Sequence, residues 1–199
     1  MHKLEMFFDC SSPWTWLGFE SLQQILPRTT CQVVYRPFLV GGVFNAVNPS
    51  VYQNREKPVP AKQNYYTKDL QDWARHVGIE IGRPTVFPVN SVKVMRGAFL
   101  AIEQDCLAPY ARAFFSAYWR ELKDISQPEI IASIVADLGL DVEKFFTAID
   151  SAPYKDRLRA NTEELIARGG FGSPTFFVDA TDMYFGNDRM LLVESRLKS

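Results

Sequence analysis

The sequence predicts an α/β fold interrupted by an all-helical insertion. Three observations support this class: a strand, helix and strand pattern at the start of the chain, helical spacing through the middle, and a return of strand patterns before a last helix. The chain has 199 residues, of which 47% are hydrophobic and 23% charged. That length suits one domain, or one small fold carrying a large insertion.

The opening of the chain reads as a β-α-β unit. Apolar side chains occupy every second position from Leu4 to Phe8, which is the period of a strand. Apolar residues between positions 16 and 26 then recur at helical spacing, which predicts a helix with Ser12 as its N-cap. A run rich in β-branched and aromatic residues follows at 33–38. A crossover helix between two strands predicts parallel pairing.

The middle of the chain is predicted to be mainly helical. Residues 43–87 are rich in Pro and Asn, and we expect a loop followed by one helix, with Tyr66, Leu70, Trp73 and Val77 on one face. Between positions 95 and 149, four apolar stretches recur at helical spacing. Ser126 and Glu129 stand at the spacing of a capping box before one of them.

The C-terminal part predicts a helix, a hairpin and a last helix. A helix to about Arg168 is followed by a Gly-rich turn, an apolar run at 175–178 and a possible hairpin partner at 183–185. The last helix follows Asn187-Asp188. The order β-α-β, helical block, α-β-β-α is that of a thioredoxin-like fold with a helical insertion. We place the thioredoxin-like domain at 1–42 and 155–199 and the insertion domain at 43–154.

Composition argues against several functional classes. The net charge of -1 leaves no basic excess for nucleic acid, and no apolar run is long enough to span a membrane. The three cysteines lack the spacing of a disulfide framework or zinc site. His2 and His76 have no partners at ligand spacing, so we expect no metal site. We expect a cytoplasmic protein because no secretory signal is evident, although organelle import stays open.

The segment from Phe8 to Gly18, FDCSSPWTWLG, carries a resemblance to a known family. It resembles the first strand and active-site turn of DsbA-like proteins, in the branch of kappa-class glutathione transferases and 2-hydroxychromene-2-carboxylate isomerases. Redox members of the fold hold Cys-Pro-x-Cys in this turn. Here Ser12 and Thr15 occupy the two cysteine positions, so no disulfide can form there. We expect Cys10 to point off the end of the strand.

The resemblance implies that glutathione is the cofactor and Ser12 the catalytic residue. A helix N-terminus offers free N–H donors and partial positive charge, which favour a thiolate. The Ser12 hydroxyl would donate a hydrogen bond to the glutathione sulfur. The alternative is that Ser12 only caps the helix, because Ser followed by Pro is a common helix start.

Three further motifs match the family and imply the cofactor-binding residues. Gly172-Ser173-Pro174-Thr175 resembles its cis-proline turn, in which the Ser173 backbone pairs with glutathione. The segment containing Asn187 and Asp188 resembles the part that caps the last helix and binds the γ-glutamyl end. Plain capping by either residue is the alternative. Lys62 and Asn48 match residues that bind the glycyl carboxylate.

The resemblance implies a glutathione-dependent isomerase of the 2-hydroxychromene-2-carboxylate type, acting on a small aromatic substrate in the degradation of aromatic compounds. It also implies a homodimer. Trp14, Trp16 and Tyr65 are candidates to line an aromatic pocket, although such residues are more often in the core. One alternative is a kappa-like glutathione transferase or peroxidase, and another is a thioredoxin-fold binding module without catalysis.

Overall fold

The fold is built on one four-stranded mixed sheet. The computed structural model describes residues 1–199. The strands lie in the order β2-β1-β3-β4. Their bounds are His2–Phe8 for β1, Cys31–Pro37 for β2, Thr175–Val178 for β3 and Asp182–Phe185 for β4. Strand β1 pairs parallel with β2 and antiparallel with β3, and β3 and β4 form an antiparallel hairpin. The thioredoxin-like fold, the parallel pair and the hairpin are therefore confirmed.

Helix α1 (Pro13–Ile25) connects the two parallel strands and carries Ser12 at its N-cap, as predicted. Its Gly18 faces the loop that precedes β3. A Cβ atom at Gly18 would lie 2.9 Å from Cγ of Pro174, which is closer than two carbon atoms can pack without displacement. The absence of a side chain at Gly18 thus allows α1 to pack directly against the Pro174 loop.

The segment after β2 contains two helices where the sequence predicted a loop. Helix α2 spans Val40–Val47 and helix α3 spans Ser50–Glu56, and the predicted helix, α4, spans Pro60–Val77. The prediction of a loop was wrong because two buried valines of α2 pack into an apolar cluster with aromatic side chains of the sheet. Burial of this face stabilises a helix that local composition does not favour.

The rest of the helical part follows the predicted pattern. It contains α5 (Val92–Glu103), α6 (Leu107–Phe115), a π-helical segment (Ser116–Arg120), α7 (Pro128–Asp137), α8 (Val142–Asp150) and α9 (Ala152–Ala167); helix α10 (Met190–Leu197) ends the chain. The predicted capping box was wrong. Gln127 is the N-cap of α7, and no side chain caps that helix. The Ser126 hydroxyl donates instead to Oδ1 of Asp124 at 2.6 Å, where the carboxylate is a stronger acceptor.

The sheet and the helical segment share one hydrophobic core. A single cluster of 39 buried residues joins Leu4 of β1 and Trp16 of α1 to side chains of α5 to α8. The division of the chain into a thioredoxin-like domain and a separate insertion domain at 43–154 stays a prediction. None of the helices is both long enough and apolar enough to cross a membrane.

Candidate functional site

Two turns meet at the N-terminus of α1. The Oγ atom of Ser12 accepts a hydrogen bond from the Thr15 backbone N–H at 3.3 Å and donates to the Ser173 carbonyl oxygen at 3.4 Å. The hydroxyls of Thr15 and Ser173 are hydrogen-bonded at 2.6 Å in a buried position. The Ser173–Pro174 peptide bond is cis, which confirms that part of the resemblance. Ser12 therefore does cap the helix, and it also contacts the backbone of Ser173.

The buried carboxylate of Asp9 is hydrogen-bonded to the turn that precedes Ser12. Asp9 is 1% exposed and accepts hydrogen bonds from the backbone N–H groups of Ser11 and Val40, each at 2.9 Å. Burial raises the pKa of Asp9, and the two backbone donors oppose that shift. Asp9 thus ties the turn that precedes Ser12 to the start of α2. Our sequence reasoning missed this role, although an acidic residue between an apolar strand and a Ser-Pro helix start is a signal that could have found it.

Cys10 follows the end of β1, and its side chain lies inside the core. It is fully buried, and its backbone N–H contacts Sδ of Met95 at 3.3 Å. Burial raises the pKa of its thiol well above the ordinary value, and the neighbouring charge of Asp9 raises it further. Cys10 lies two residues beyond the end of β1, and its side chain contributes to the main hydrophobic cluster, which the sequence did not predict.

We expect no thiol-disulfide oxidoreductase activity from this site. Ser12 and Thr15 carry hydroxyls, and the thiol of Cys10 is both buried and disfavoured as a thiolate. The measurement is reduction of insulin disulfides in the presence of glutathione, with the expected rate equal to the protein-free background. Catalysed reduction that disappears in the Cys10→Ser variant would contradict the prediction.

A cavity of about 460 Å³ opens beside the two turns. It brings together three of the predicted cofactor-binding residues, namely Ser173, Asn187 and Asp188. The other lining residues are Trp14, Tyr65, Asp69, Trp73, Phe185 and Gly186. The C-terminal part therefore contributes mostly polar groups together with Phe185, and α1 and α4 contribute three aromatic side chains together with Asp69.

Asn187 and Asp188 lie in a 3₁₀ turn, Asn187–Arg189, immediately before α10. Asn187 is 4% exposed, and its Nδ2 atom has no hydrogen-bond partner. Asp188 is partly exposed and forms an ion pair with the adjacent Arg189. No side chain caps the 3₁₀ turn or α10. The predicted capping of the last helix by Asn187 or Asp188, alone or together with glutathione binding, was therefore wrong, and the buried amide donor of Asn187 has no partner beside the cavity.

The two residues predicted to bind the glycyl carboxylate differ in their contacts with the loop that leads to Ser173. Asn48 follows α2, and its Nδ2 atom donates to the Phe171 carbonyl oxygen at 3.1 Å, two residues before Ser173. Lys62 lies in the exposed first half of α4 and makes no ion pair. It stands three residues before Tyr65, which lines the cavity. The structure thus connects Asn48 to the Ser173 loop and leaves the Lys62 amine at the surface.

The aromatic candidates divide into lining and core residues. Trp14 lines the cavity, and its Nε1 atom donates to the Tyr66 hydroxyl at 3.1 Å. Tyr65 also lines the cavity and is 65% exposed. Trp16 is only 5% exposed and stacks on Phe115 at 6.0 Å between ring centroids. Trp16 therefore does not line the cavity, because its side chain packs into the core.

Sequence reasoning missed two lining residues of α4. Asp69 and Trp73 line the cavity together with Tyr65. With Lys62 they occupy positions i, i+3, i+7 and i+11, which lie on one face of a helix. That spacing is visible in the sequence, but only the packing of α4 beside α1 shows which face meets the cavity.

Comparison with known proteins places the chain among DsbA-like proteins. Residues 3–198 match the model of the DSBA-like thioredoxin domain. A 2-hydroxychromene-2-carboxylate isomerase of Pseudomonas putida is 29% identical over 98% of this chain and 93% of the relative. Human glutathione S-transferase kappa 1 is 28% identical over 96% of this chain and 88% of the relative. A solved 2-hydroxychromene-2-carboxylate isomerase superposes with a TM-score of 0.82 at 25% identity, covering 98% of this chain and 94% of the other.

Proposed function

Because the chain belongs to the DsbA-like thioredoxin domain family, with isomerases and kappa-class transferases among its relatives, we propose that it is a glutathione-dependent isomerase. Its substrate in this proposal is a small aromatic compound of the 2-hydroxychromene-2-carboxylate type, in a pathway of aromatic degradation. One observation carries the proposal. Ser12 is hydrogen-bonded to the backbone of Ser173, and Ser173 lines a cavity in which the buried Asn187 amide has no hydrogen-bond partner.

The residues of the cavity fit the chemistry of glutathione. The orphan Nδ2 donor of Asn187 would bind a carboxylate oxygen, since a buried amide without a partner costs free energy. Asp188 offers a carboxylate to the γ-glutamyl ammonium, and the backbone of Ser173 lies at the cavity edge to pair with an extended peptide. Lys62 and Asn48 are proposed to bind the glycyl carboxylate. All charged groups of the tripeptide thus have a partner of opposite charge or a donor.

Ser12 and its surroundings are proposed to stabilise the reactive form of the cofactor. When bound, glutathione supplies a thiolate nucleophile. Ser12 would turn its single O–H bond from the Ser173 carbonyl oxygen to the sulfur and donate a hydrogen bond there, while its Oγ atom continues to accept from Thr15 N–H. The N-terminus of α1 adds partial positive charge at the same point, together with the backbone N–H of Trp14, which makes no hydrogen bond in the structure. Trp14 lies over the cavity and would limit the access of water to the sulfur.

Two assays separate the proposed isomerase from a transferase. The isomerase is expected to remove the absorbance of 2-hydroxychromene-2-carboxylate while the glutathione thiol titre stays constant. A kappa-like transferase, favoured by the similarity to the human kappa protein, would consume thiol and release a coloured conjugate from chlorodinitrobenzene. A calorimetric titration that detects no glutathione binding would overturn both functions and support a binding module.

We expect the variants Lys62→Ala and Asp188→Ala to bind glutathione more weakly. Each removes a charge-assisted contact that contributes about 1.5 to 3 kcal/mol, so each dissociation constant should rise by about 10- to 100-fold. Isothermal titration calorimetry measures the change. Lys155→Ala is a matched control, because Lys155 is an exposed lysine of α9 that makes no ion pair. Dissociation constants that stay at the wild-type value in both site variants would show that the residue assignment is out of register.

The proposal includes a homodimer in the cytoplasm. Leu191 and Leu192 are adjacent on α10 and are 78% and 54% exposed, which supports an apolar surface that a second copy would cover. Three cysteines without paired spacing support a reducing compartment. Light scattering is expected to give twice the chain mass of 22.7 kDa. A mass equal to one chain at micromolar concentration would contradict the dimer.

A further inference from the structure

Arg55, near the end of α3, is an exposed arginine surrounded by aromatic rings and without an acidic partner. Its guanidinium carbon lies 5.0 Å from the ring centroid of Phe87 and 5.9 Å from those of Phe44 and Tyr52. These distances are within the range of cation–π attraction. Most other arginines of the chain pair with a carboxylate, whereas Arg55 makes neither an ion pair nor a hydrogen bond with another residue. We call Arg55 and the three rings the Arg55 cluster.

The rings restrain the guanidinium but leave its donors free. Aromatic rings attract the cation through the face of the ring, and they accept none of the five N–H bonds at the edge of the guanidinium. A restrained guanidinium with a free edge is suited to bidentate binding of a carboxylate, because little side-chain entropy remains to be lost. The arrangement thus favours an anionic ligand over a neutral one.

The Arg55 cluster is connected to the Ser12 turn through Trp119. Phe87 packs against Trp119 at 6.2 Å between ring centroids. The Nε1 atom of Trp119 donates to the Cys10 carbonyl oxygen at 3.0 Å, two residues before Ser12. The neighbouring Tyr118 donates its hydroxyl to the Val86 carbonyl oxygen at 2.8 Å, which fixes the loop that carries Phe87.

A second connection runs through Tyr66. Its hydroxyl accepts from Trp14, which lines the cavity assigned to glutathione. Burial raises the pKa of Tyr66, and the hydrogen bond with Trp14 and, less strongly, the positive charge of Arg55 oppose that shift. No member of the Arg55 cluster lines the glutathione cavity itself. The Arg55 guanidinium is therefore not used by the proposed cofactor.

Phe87, whose ring is the nearest of the three to the Arg55 guanidinium, is half exposed together with its neighbour Val86, and offers a surface for a flat ring. Val86 is 43% exposed, Phe87 49% and Tyr66 42%. Large aromatic side chains left half exposed beside a free cation are unusual for a surface without a ligand. Together with Arg55, these side chains combine an apolar surface with one positive charge.

We propose that Arg55 binds the carboxylate of the second substrate, so that the enzyme selects planar aromatic acids over their neutral analogues. The expected effect of Arg55 on catalysis rests on the proposed function. The binding of an aromatic acid by Arg55 does not require glutathione. The alternative role of Arg55 is structural, as a cation that covers three rings near the C-terminus of a helix. The two roles differ in whether the charge discriminates between an acid and its ester.

The test compares 2-naphthoate with methyl 2-naphthoate as quenchers of tryptophan fluorescence in the full-length protein without glutathione. We expect 2-naphthoate to bind at least about tenfold more tightly than the ester. Arg55→Met should abolish that preference and leave the affinity for the ester unchanged. Arg83→Met is the matched control, because Arg83 is also exposed and unpaired but has no aromatic rings around it; it should retain the preference.

Equal affinity of the wild type for the acid and the ester, or an unchanged preference in Arg55→Met, would overturn the proposal. If Arg55→Met does not fold, as judged by circular dichroism, Arg55→Lys replaces it. Lysine keeps the charge but lacks the planar fork, so we expect a reduced preference, and an unchanged one would overturn the proposal.

In the enzyme assay, Arg55→Met should raise KM for the carboxylate substrate without changing the glutathione dissociation constant. A protein that binds naphthoate in this way but does not bind glutathione would sink the proposed function and leave the role of Arg55 intact.

Discussion

Replacing Ser12 with alanine is expected to lower turnover by about 10- to 100-fold, which corresponds to the loss of one hydrogen bond to a charged group. The affinity for glutathione should change little, because the tripeptide is proposed to be held by Lys62, Asp188 and the Ser173 backbone. The pKa of the glutathione thiol in the complex should rise in the variant, since the thiolate loses a donor. Thiolate absorbance against pH measures that pKa, and steady-state kinetics near neutral pH measure the turnover.

The capping role of Ser12 needs its own control. Loss of an N-cap side chain costs about 0.5 to 2 kcal/mol, so Ser12→Ala should also melt at a lower temperature. Asp141→Ala removes the cap of α8, where Asp141 accepts from the Lys144 N–H at 3.0 Å. That variant should lose comparable stability with unchanged turnover. If Ser12→Ala likewise loses only stability and keeps its thiol pKa and turnover, Ser12 is a cap alone and another group activates the thiol.

Replacing Glu5 with glutamine is expected to lower the free energy of unfolding at pH 7 by about 2 to 3 kcal/mol. Glu5 lies on the central strand and is 2% exposed. It accepts from Nη2 of Arg36 and from Nη2 of Arg168, each at 2.8 Å. The Arg168 guanidinium also lies 3.7 Å from the ring centroid of Phe177. Glutamine preserves the shape of the side chain but removes the buried charge between Arg36 and Arg168, which then share only the more exposed Glu164, at 3.6 and 2.9 Å.

The effect of this variant should depend on pH. Burial raises the pKa of Glu5, but the hydrogen bonds and charges of Arg168 and Arg36 outweigh it, so the pKa lies below its ordinary value of 4.5. The folded protein therefore binds fewer protons at this site than the unfolded chain does. Its contribution to stability is complete above pH 4.5 and is lost as the pH falls through the lower pKa of the folded state.

Urea denaturation at several pH values tests this expectation. The difference in unfolding free energy between wild type and Glu5→Gln should be constant from pH 7 to about pH 5 and should shrink below about pH 4.5. Glu163→Gln is the control, because Glu163 is 70% exposed and its carboxylate lies 4.0 Å from Nε of Arg159, which is too far for a hydrogen bond. A difference that stays the same down to pH 3, or an equal loss in the control, would rule out the buried ion pairs as the cause.

Local patterns were sufficient to predict the elements that form the site. Ser12 was predicted as an N-cap from a Ser-Pro start and helical spacing, and the structure has α1 beginning at Pro13. The same reasoning missed α2, because its stability comes from burial against residues distant in the sequence. It also left open whether Trp16 lines a pocket or packs in the core, since an aromatic residue one turn into a helix gives the same sequence pattern in both cases.

By itself, the sequence determined the order of the four strands and of the helices other than α2 and α3, the N-cap of α1 at Ser12, the replacement of both redox cysteines by Ser12 and Thr15, and the resemblance to a glutathione-using family. These features depend on residue type and on spacing of a few positions, which the chain records directly. Only the tertiary structure decided that Thr15 bonds Ser173, that the Asn187 amide is buried without a partner, and that Arg55 is restrained by three rings. Those contacts join residues far apart in the chain, and they exist only because packing of the sheet and helices brings them within a few ångströms.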